Sequence, residues 1–345
     1  MIKKFFFILI IIIIAAALGV GSYLSKELKK PLAINDADAT YTVAAGSSIK
    51  RVLADFAKSG WIQYPRVHEL WLRHHKMTRI QRGEYQLASG MTSQQVIALM
   101  VSGKKIQRSI QFIEGKTFRD NLRVIANNPH IKQTITGQSE QEIFTEATGS
   151  DSFYEGWMFP DTYLFESGMT DLDVVNRAYQ RMQTILAEEW KTRADDVKVE
   201  SPYQALILAS IIEKETGAAF ERAMISGVFS RRLEQGMRLQ TDPTIIYGLG
   251  ADFDGNLTRA NLRKDSPYNT YTRAGLPPTP IASPGREAIH AALNPAKGTE
   301  IFFVAKGNGT HYFSTTLEEH NQAVLKYQRY GRRSDYQSTP DEAAQ

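Results

Sequence analysis

From Phe5 to Leu18 the chain is apolar almost without a break, behind Lys3 and Lys4, and Gly19 to Leu24 extend the run with little polarity. Roughly twenty residues at about 1.5 Å each match the ~30 Å hydrocarbon core of a bilayer, so residues 1–25 are expected to form a transmembrane anchor. Ala15–Ala17 would suit a cleaved signal peptide, but they lie inside the apolar run with no polar stretch before them, which favours an uncleaved helix. Lys26, Lys29 and Lys30 follow the run, so charge asymmetry alone leaves the orientation open.

After a short linker at 31–39 the pattern changes to short periodic segments. Tyr41-Thr42-Val43 reads as a strand, and Ser47 or Ser48 caps a helix carrying Ile49, Val52, Leu53 and Phe56. A second helix opens at Pro65 and is expected to bury Val67, Leu70 and Trp71. Arg82–Leu87 reads as a strand, and Thr92 with Gln95 forms a capping box for a third helix ending at Gly103. Residues 38–105 thus make one small α+β unit.

The remaining pattern is longer and mixed. Gln107–Glu114 reads as a strand, Phe118–Ala126 as a helix, and Asn127–Ser150, polar and poorly periodic, as a surface connection. Asp171–Ala194 is amphipathic. Ser201-Pro202-Tyr203-Gln204 starts a helix running to Gly217, and another spans about Ala219–Gln235 and stops at Gly236. Ile301–Ala305 and His311–Ser314 flank a turn at 306–310, a hairpin signal, and Thr316 with Glu319 caps a last helix. Residues 336–345 are expected to form a disordered tail. The fold class is α+β.

Composition narrows the function. The 345 residues carry 41 basic and 37 acidic side chains, a small excess spread along the chain, which argues against nucleic acid as a partner. Zero cysteines exclude disulfides, thiolate metal sites and a cysteine nucleophile, and the seven histidines show no metal-ligand motif.

The chemistry is expected on the helix from Tyr203. It is apolar nearly all round, as a buried helix is, yet its last turn carries Glu213-Lys214-Glu215-Thr216. Desolvation and the negative helix end both raise a carboxyl pKa there, which suits a general acid. Glu213 and Glu215 point about 200° apart, so they cannot share one role. Glu215 continues the Ala205, Leu208, Ala209, Ile212 stripe, whereas Glu213 follows Leu206 and Ser210. The plain alternative is that both pair with Lys214, Arg222 or Arg231. Three irregular segments join them: Glu155–Tyr163, the polar loop Gln240–Thr244, and Pro267–Tyr271 with Gly275–Pro278. Rings beside amides and carboxylates suit sugars, although turn chemistry with aromatic core plugs would read the same way.

In this order the segments resemble the endolytic murein transglycosylase, or YceG-like, family. The resemblance spans the anchor, a LysM-like domain at 38–105 and a catalytic domain at 106–335. Its most specific pieces are Gly156–Tyr163, Ala209–Thr216 and Gly236–Thr244, with Tyr268–Tyr271 and Gly275–Pro278; Thr279 and Ser283 depart from it. It implies cleavage of the MurNAc-GlcNAc β-1,4 bond within glycan strands to leave 1,6-anhydro ends, without metal or cofactor. Lytic transglycosylases place their catalytic Glu before a small hydroxyl residue, which matches Glu215-Thr216 and makes Glu215 catalytic. Gln240, Asp242, Asn269 and Tyr271 are the candidates for holding substrate. The resemblance further implies a single-pass inner-membrane protein with a periplasmic catalytic domain, working beside peptidoglycan synthases to end nascent strands. A two-carboxylate hydrolase using Asp242 or Glu221 as partner is the alternative, and a non-catalytic wall-binding scaffold a third.

Overall fold

The computed structural model describes residues 2–34 and 39–330. Two units emerge: the chain up to Arg108 with Leu164–Ser167, and Ser109–Tyr163 with the chain from Gly168 on. The fold is mixed α+β. The expected tail at 336–345 and the middle of the expected linker lie outside the described residues.

The first unit begins with α1 (Ile2–Leu28). Its Phe7–Leu28 portion has mean hydropathy 2.7 and leaves its most apolar stretch exposed, only Leu28 at its end being buried, so it is long and apolar enough to cross a membrane. The start of the expected linker is instead packed: Leu32 and Ile34 are buried, and Leu32 N–H donates to the Met91 carbonyl at 2.8 Å. Next come β1 (Thr40–Val43), α2 (Ile49–Lys58), α3 (Pro65–His74), β2 (Gly83–Gln86) and α4 (Ser93–Ser102). β1 and β2 pair antiparallel, Tyr41 opposite Tyr85 and Val43 opposite Gly83. Of the two serines offered as cap, Ser48 takes the role and α2 buries its expected face. α3 does not. Leu70 is 70% exposed, Val67 and Trp71 are half-buried, and His68 and Leu72 face the core. The His68 ring reaches buried Ser93 Oγ at 2.6 Å, so a polar contact between helices turns α3 away from the phase its apolar residues suggest. The Thr92–Gln95 capping box and left-handed Gly103 bound α4 as expected.

β3 (Arg108–Gln111) and, further on, β4 (Thr162–Phe165) form a second two-stranded sheet. Between them lie α5 (Phe118–Ala126) and α6 (Glu140–Thr148). α6 corrects the expected surface connection. It buries only Ile143 and Phe144, too few for a clear period, but a Ser139–Glu142 capping box and left-handed Gly149 mark its ends. After β4 come α7 (Asp171–Lys191), α8 (Pro202–Glu215) and, behind a short turn at Ala219–Glu221, α9 (Arg222–Glu234). α10 (Asp242–Leu249), α11 (Arg259–Arg263) and α12 (Arg286–Leu293) were not expected as helices, and most of the Gln240–Thr244 segment lies in the first turn of α10. β5 (Phe302–Ala305) and β6 (His311–Ser314) form the hairpin, with Ala305 opposite His311, and α13 (Leu317–Val324) follows with its Thr316 cap.

α8 is the axis of the second unit. Every residue from Ala205 to Ile212 is buried, chiefly beneath α12, which contributes Ala288, Ile289, Ala292 and Leu293. A helix enclosed on all sides cannot fray, so the side chain at its last residue is aimed by the whole core.

Candidate active site

That last residue is Glu215. The chain leaves the helix at Thr216 in an extended conformation, and Glu215 stands half-buried at the end of the apolar rod. Its carboxylate accepts a hydrogen bond from Thr241 Oγ1. Burial pushes its pKa up, and nearby Asp242 adds to this. The Thr241 bond, His311 and Arg232 oppose the rise by favouring the charged form. The group therefore keeps its proton further up the pH scale than an ordinary carboxylate, beside a donor able to stabilise it once the proton has gone.

Thr241 is the cap residue of α10, yet its hydroxyl makes no capping bond to its own helix. A threonine at that position ordinarily satisfies a free helix N–H; here it turns to Glu215 instead. Its backbone is held on both sides. Its N–H donates to Thr270 Oγ1 at 3.1 Å, and its carbonyl accepts from Thr244 Oγ1 at 2.8 Å and Thr270 Oγ1 at 3.3 Å. All three threonines are buried, and their β-branched side chains have few rotamers to lose.

The expected substrate-holding residues divide. Gln240, exposed and in the left-handed region at φ 54°, precedes Thr241; its side-chain oxygen accepts from Arg232 at 3.3 Å. Exposed Asp242 follows Thr241 and accepts the Tyr271 hydroxyl at 2.7 Å. Burial and the Asp242 carboxylate push the Tyr271 phenol well above its ordinary range, so it remains a donor. Gln240, Asp242 and Tyr271 therefore surround the Thr241–Glu215 bond. Asn269 does not face it. Its side chain is 1% exposed and engaged by the carbonyls of Asn261, Leu262 and Lys264 and by the Tyr271 N–H, which fixes the loop that carries Tyr271.

Other carboxylates nearby are occupied. Glu213 accepts the Gly285 N–H at 2.9 Å and faces Arg222 at 3.5 Å; burial raises its pKa, opposed by that N–H and that guanidinium. Arg222 also meets Glu287 and, at 3.9 Å, Glu114. The pairing alternative thus holds for Glu213. Glu221 is 4% exposed and takes the His311 N–H at 2.9 Å and Nδ1 at 2.8 Å, so it has no oxygen turned to water. Trp157 and Phe159 are core plugs, 8% and 7% exposed. Trp157 stacks on Tyr203 with centroids 6.0 Å apart, which covers a face of its indole.

The YceG-like family profile matches residues 41–326. The chain belongs to the YceG-like family. This YceG-like chain is 32% identical over 302 residues to the endolytic murein transglycosylase of Bacillus subtilis strain 168, covering 83% of each. The endolytic murein transglycosylase of Streptococcus pneumoniae D39 is 23% identical over 323 residues, 84% of this chain and 58% of that longer protein. A crystal structure of a yceG-like protein from Listeria monocytogenes superposes with a TM-score of 0.53 at 30% identity, covering 83% of this chain and 98% of that one.

Some members of the YceG-like site went unnoticed in the sequence. Thr241 falls in the Gln240–Thr244 segment and Thr270 in Pro267–Tyr271, but nothing local separates a threonine that holds a carboxyl from one that closes a turn. Arg232, 7% exposed, ties the site to the hairpin: it donates to the carbonyls of Ile301 at 2.6 Å and Leu239 at 2.9 Å. A buried arginine in an amphipathic helix leaves no mark in the pattern beyond one charge on the apolar face.

Proposed function

We propose that the chain is a membrane-anchored endolytic peptidoglycan lytic transglycosylase that cuts the MurNAc-GlcNAc β-1,4 bond within strands and leaves 1,6-anhydro-MurNAc ends. The observation that carries the mechanism is the Glu215 carboxyl at the end of a buried helix, raised by burial and met by the Thr241 hydroxyl rather than by a cation. Glu215 protonates the glycosidic oxygen as the C1–O bond breaks, and the 2-acetamido group of the departing residue's partner ring stabilises the positive charge at C1. The carboxylate left behind is held by Thr241 and favoured by Arg232 and His311. It then takes the proton from the muramyl 6-hydroxyl as that oxygen closes on C1, so the acid is regenerated and no water is consumed. The attacking hydroxyl is tethered to the reacting ring and gains the effective molarity of an intramolecular step. Asp242, Tyr271 and Gln240 hold the strand beside Glu215, and Asn269 positions the loop that presents Tyr271.

The same reading assigns residues 1–25 as an uncleaved inner-membrane anchor with the catalytic domain, 106–335, in the periplasm. Residues 38–105 are a LysM-like unit that keeps glycan near the site, and the work is done beside peptidoglycan synthases on nascent strands. Mass spectrometry of polymeric glycan treated with the purified chain tests it. The expected products are long fragments, each ending in an anhydro-muramyl residue lighter by one water than a hydrolysed end. Reducing ends as the main product would overturn the one-carboxylate mechanism and favour hydrolysis with exposed Asp242 as the second acid.

A further inference from the structure

The turn that follows Glu215 is tied down by a carboxyl that the reaction above leaves unused. Thr216, the next residue, is buried, and its hydroxyl accepts the Ala218 N–H at 2.9 Å. The Ala218 carbonyl in turn accepts the Glu221 N–H at 3.1 Å. Buried Glu221 turns both carboxylate oxygens to His311 of β6. Oε1 takes the backbone N–H at 2.9 Å, and Oε2 meets ring Nδ1 at 2.8 Å. The strand it grips is itself fixed. The His311 ring packs edge-on against Phe303 of β5, centroids 5.4 Å apart, and Phe303 packs edge-on against Phe229 of α9 at 5.7 Å. Just before β5, the Glu300 carbonyl accepts from Arg231 and the Ile301 carbonyl from Arg232, each at 2.6 Å. Every link from Glu215 to β6 is thus a covalent bond or a hydrogen bond of ordinary length.

We propose that Glu221 is a positioning residue for the lytic reaction: by gripping His311 at two points it fixes the Thr216–Glu221 turn on β6, and so holds Glu215, where that turn begins, against Thr241. The proposal rests on the function argued above. The buried rod of α8 aims Glu215 from one side, and the turn closes it from the other. Apolar packing would bury the turn as well but is non-directional, whereas two bonds to one residue admit a single placement. A buried carboxylate is costly unless donors meet its oxygens, and both oxygens of Glu221 are met. Because a carboxylate only accepts, the ring hydrogen between the two side chains lies on Nδ1. The grip also sets where the His311 ring stands, and its field is one of those favouring ionised Glu215.

Two conservative variants of the full chain separate reach from charge. Glu221→Gln keeps the reach: its carbonyl oxygen takes the His311 N–H, and its amide donates to Nδ1 once the ring hydrogen moves to Nε2. Glu221→Asp keeps the charge but draws the carboxylate back by one methylene, about 1.5 Å. Strand cleavage is followed below the melting temperature of each protein, and nitrogen NMR of the His311 ring reports its tautomer. The Gln variant should keep most of the wild-type kcat, with the ring hydrogen moved to Nε2. The Asp variant should lose about 10²-fold in kcat with KM unchanged, the effect of roughly 1 Å of misplacement at the reacting bond. Equal kcat in the two variants, at the wild-type level or below it, would overturn the proposal, because reach would then not matter. A higher kcat in the Asp variant than in the Gln variant would overturn it as well, since charge would be what counts. Either result leaves the lytic function standing as long as the wild type releases anhydro ends. A wild type that cuts no glycan would remove the function itself and the positioning role with it.

Discussion

The two glutamates at the end of α8 occupy the same helical turn and are both raised by burial, yet their surroundings are opposite. On one side Glu213 meets a backbone N–H and a guanidinium, and through them joins α8 to Gly285 and to α9. On the other, Glu215 meets a single hydroxyl, with Arg232 and His311 acting only through their fields. A carboxylate answered by an amide and a cation is best left ionised and still. One answered by a hydroxyl can give up and recover a proton, because the hydroxyl serves either state. Burial alone therefore does not mark a catalytic acid; the kind of partner does.

The sharpest way to break this comparison is to remove the proton from one side. Glu215→Gln should lower strand cleavage by about 10²- to 10⁴-fold, since an amide cannot act as the acid, while the melting temperature stays near that of the wild type. If Glu215→Gln were active and Glu213→Gln dead, the two roles would be exchanged. The next largest effect falls on stability. Glu213→Gln leaves Arg222 short of one carboxylate and should cost about 1–3 kcal/mol in denaturant unfolding. Arg222 keeps Glu287 and Glu114, which limits the loss, and cleavage at a permissive temperature should be little changed. Equal stability of variant and wild type would mean that the pair contributes nothing and that the contrast lies elsewhere.

Much of this arrangement could be read along the chain, and the parts that could not share a cause. α5 was expected at Phe118–Ala126 and is found there, because a Thr117–Asp120 box opens it and three buried positions phase it. α4 and the β5–β6 hairpin carry similar local signals. α12 carries a weak one: its buried face is mostly alanine, so apolar contrast along the helix is small even though it covers α8. α10 begins with Asp242-Pro243, a fair helix start, but the polar run before it reads as a loop. In the site, Asp242, Tyr271 and Gln240 stand out by residue type. Thr241 does not, since what distinguishes it is proximity to Glu215 and Thr270, both far away in sequence. Local patterns report a residue's own element, whereas the function of Thr241 depends on three elements meeting.

Thr241 also supplies the finest test of the contrast between the glutamates. Thr241→Val keeps the branched shape against Thr244 and Thr270 but removes the hydroxyl from Glu215. That hydroxyl lowers the Glu215 pKa against the upward push of burial, so its loss should move the pKa further up. Two effects of opposite sign follow. The alkaline limb of the cleavage profile should shift to higher pH, because the acid holds its proton longer. The plateau below that limb should fall, by about tenfold for one lost hydrogen bond to a charged group, because the carboxylate formed during cleavage has lost its donor. In unfolding experiments the stability contributed by neutral Glu215, complete below the ordinary carboxylate range, should likewise persist to higher pH in the variant. A lower plateau with an unmoved limb would make Thr241 a matter of packing alone. A moved limb with an unchanged plateau would mean that Glu215 gives up its proton without help from Thr241, and the field of Arg232 and His311 would then be the stabilising agent.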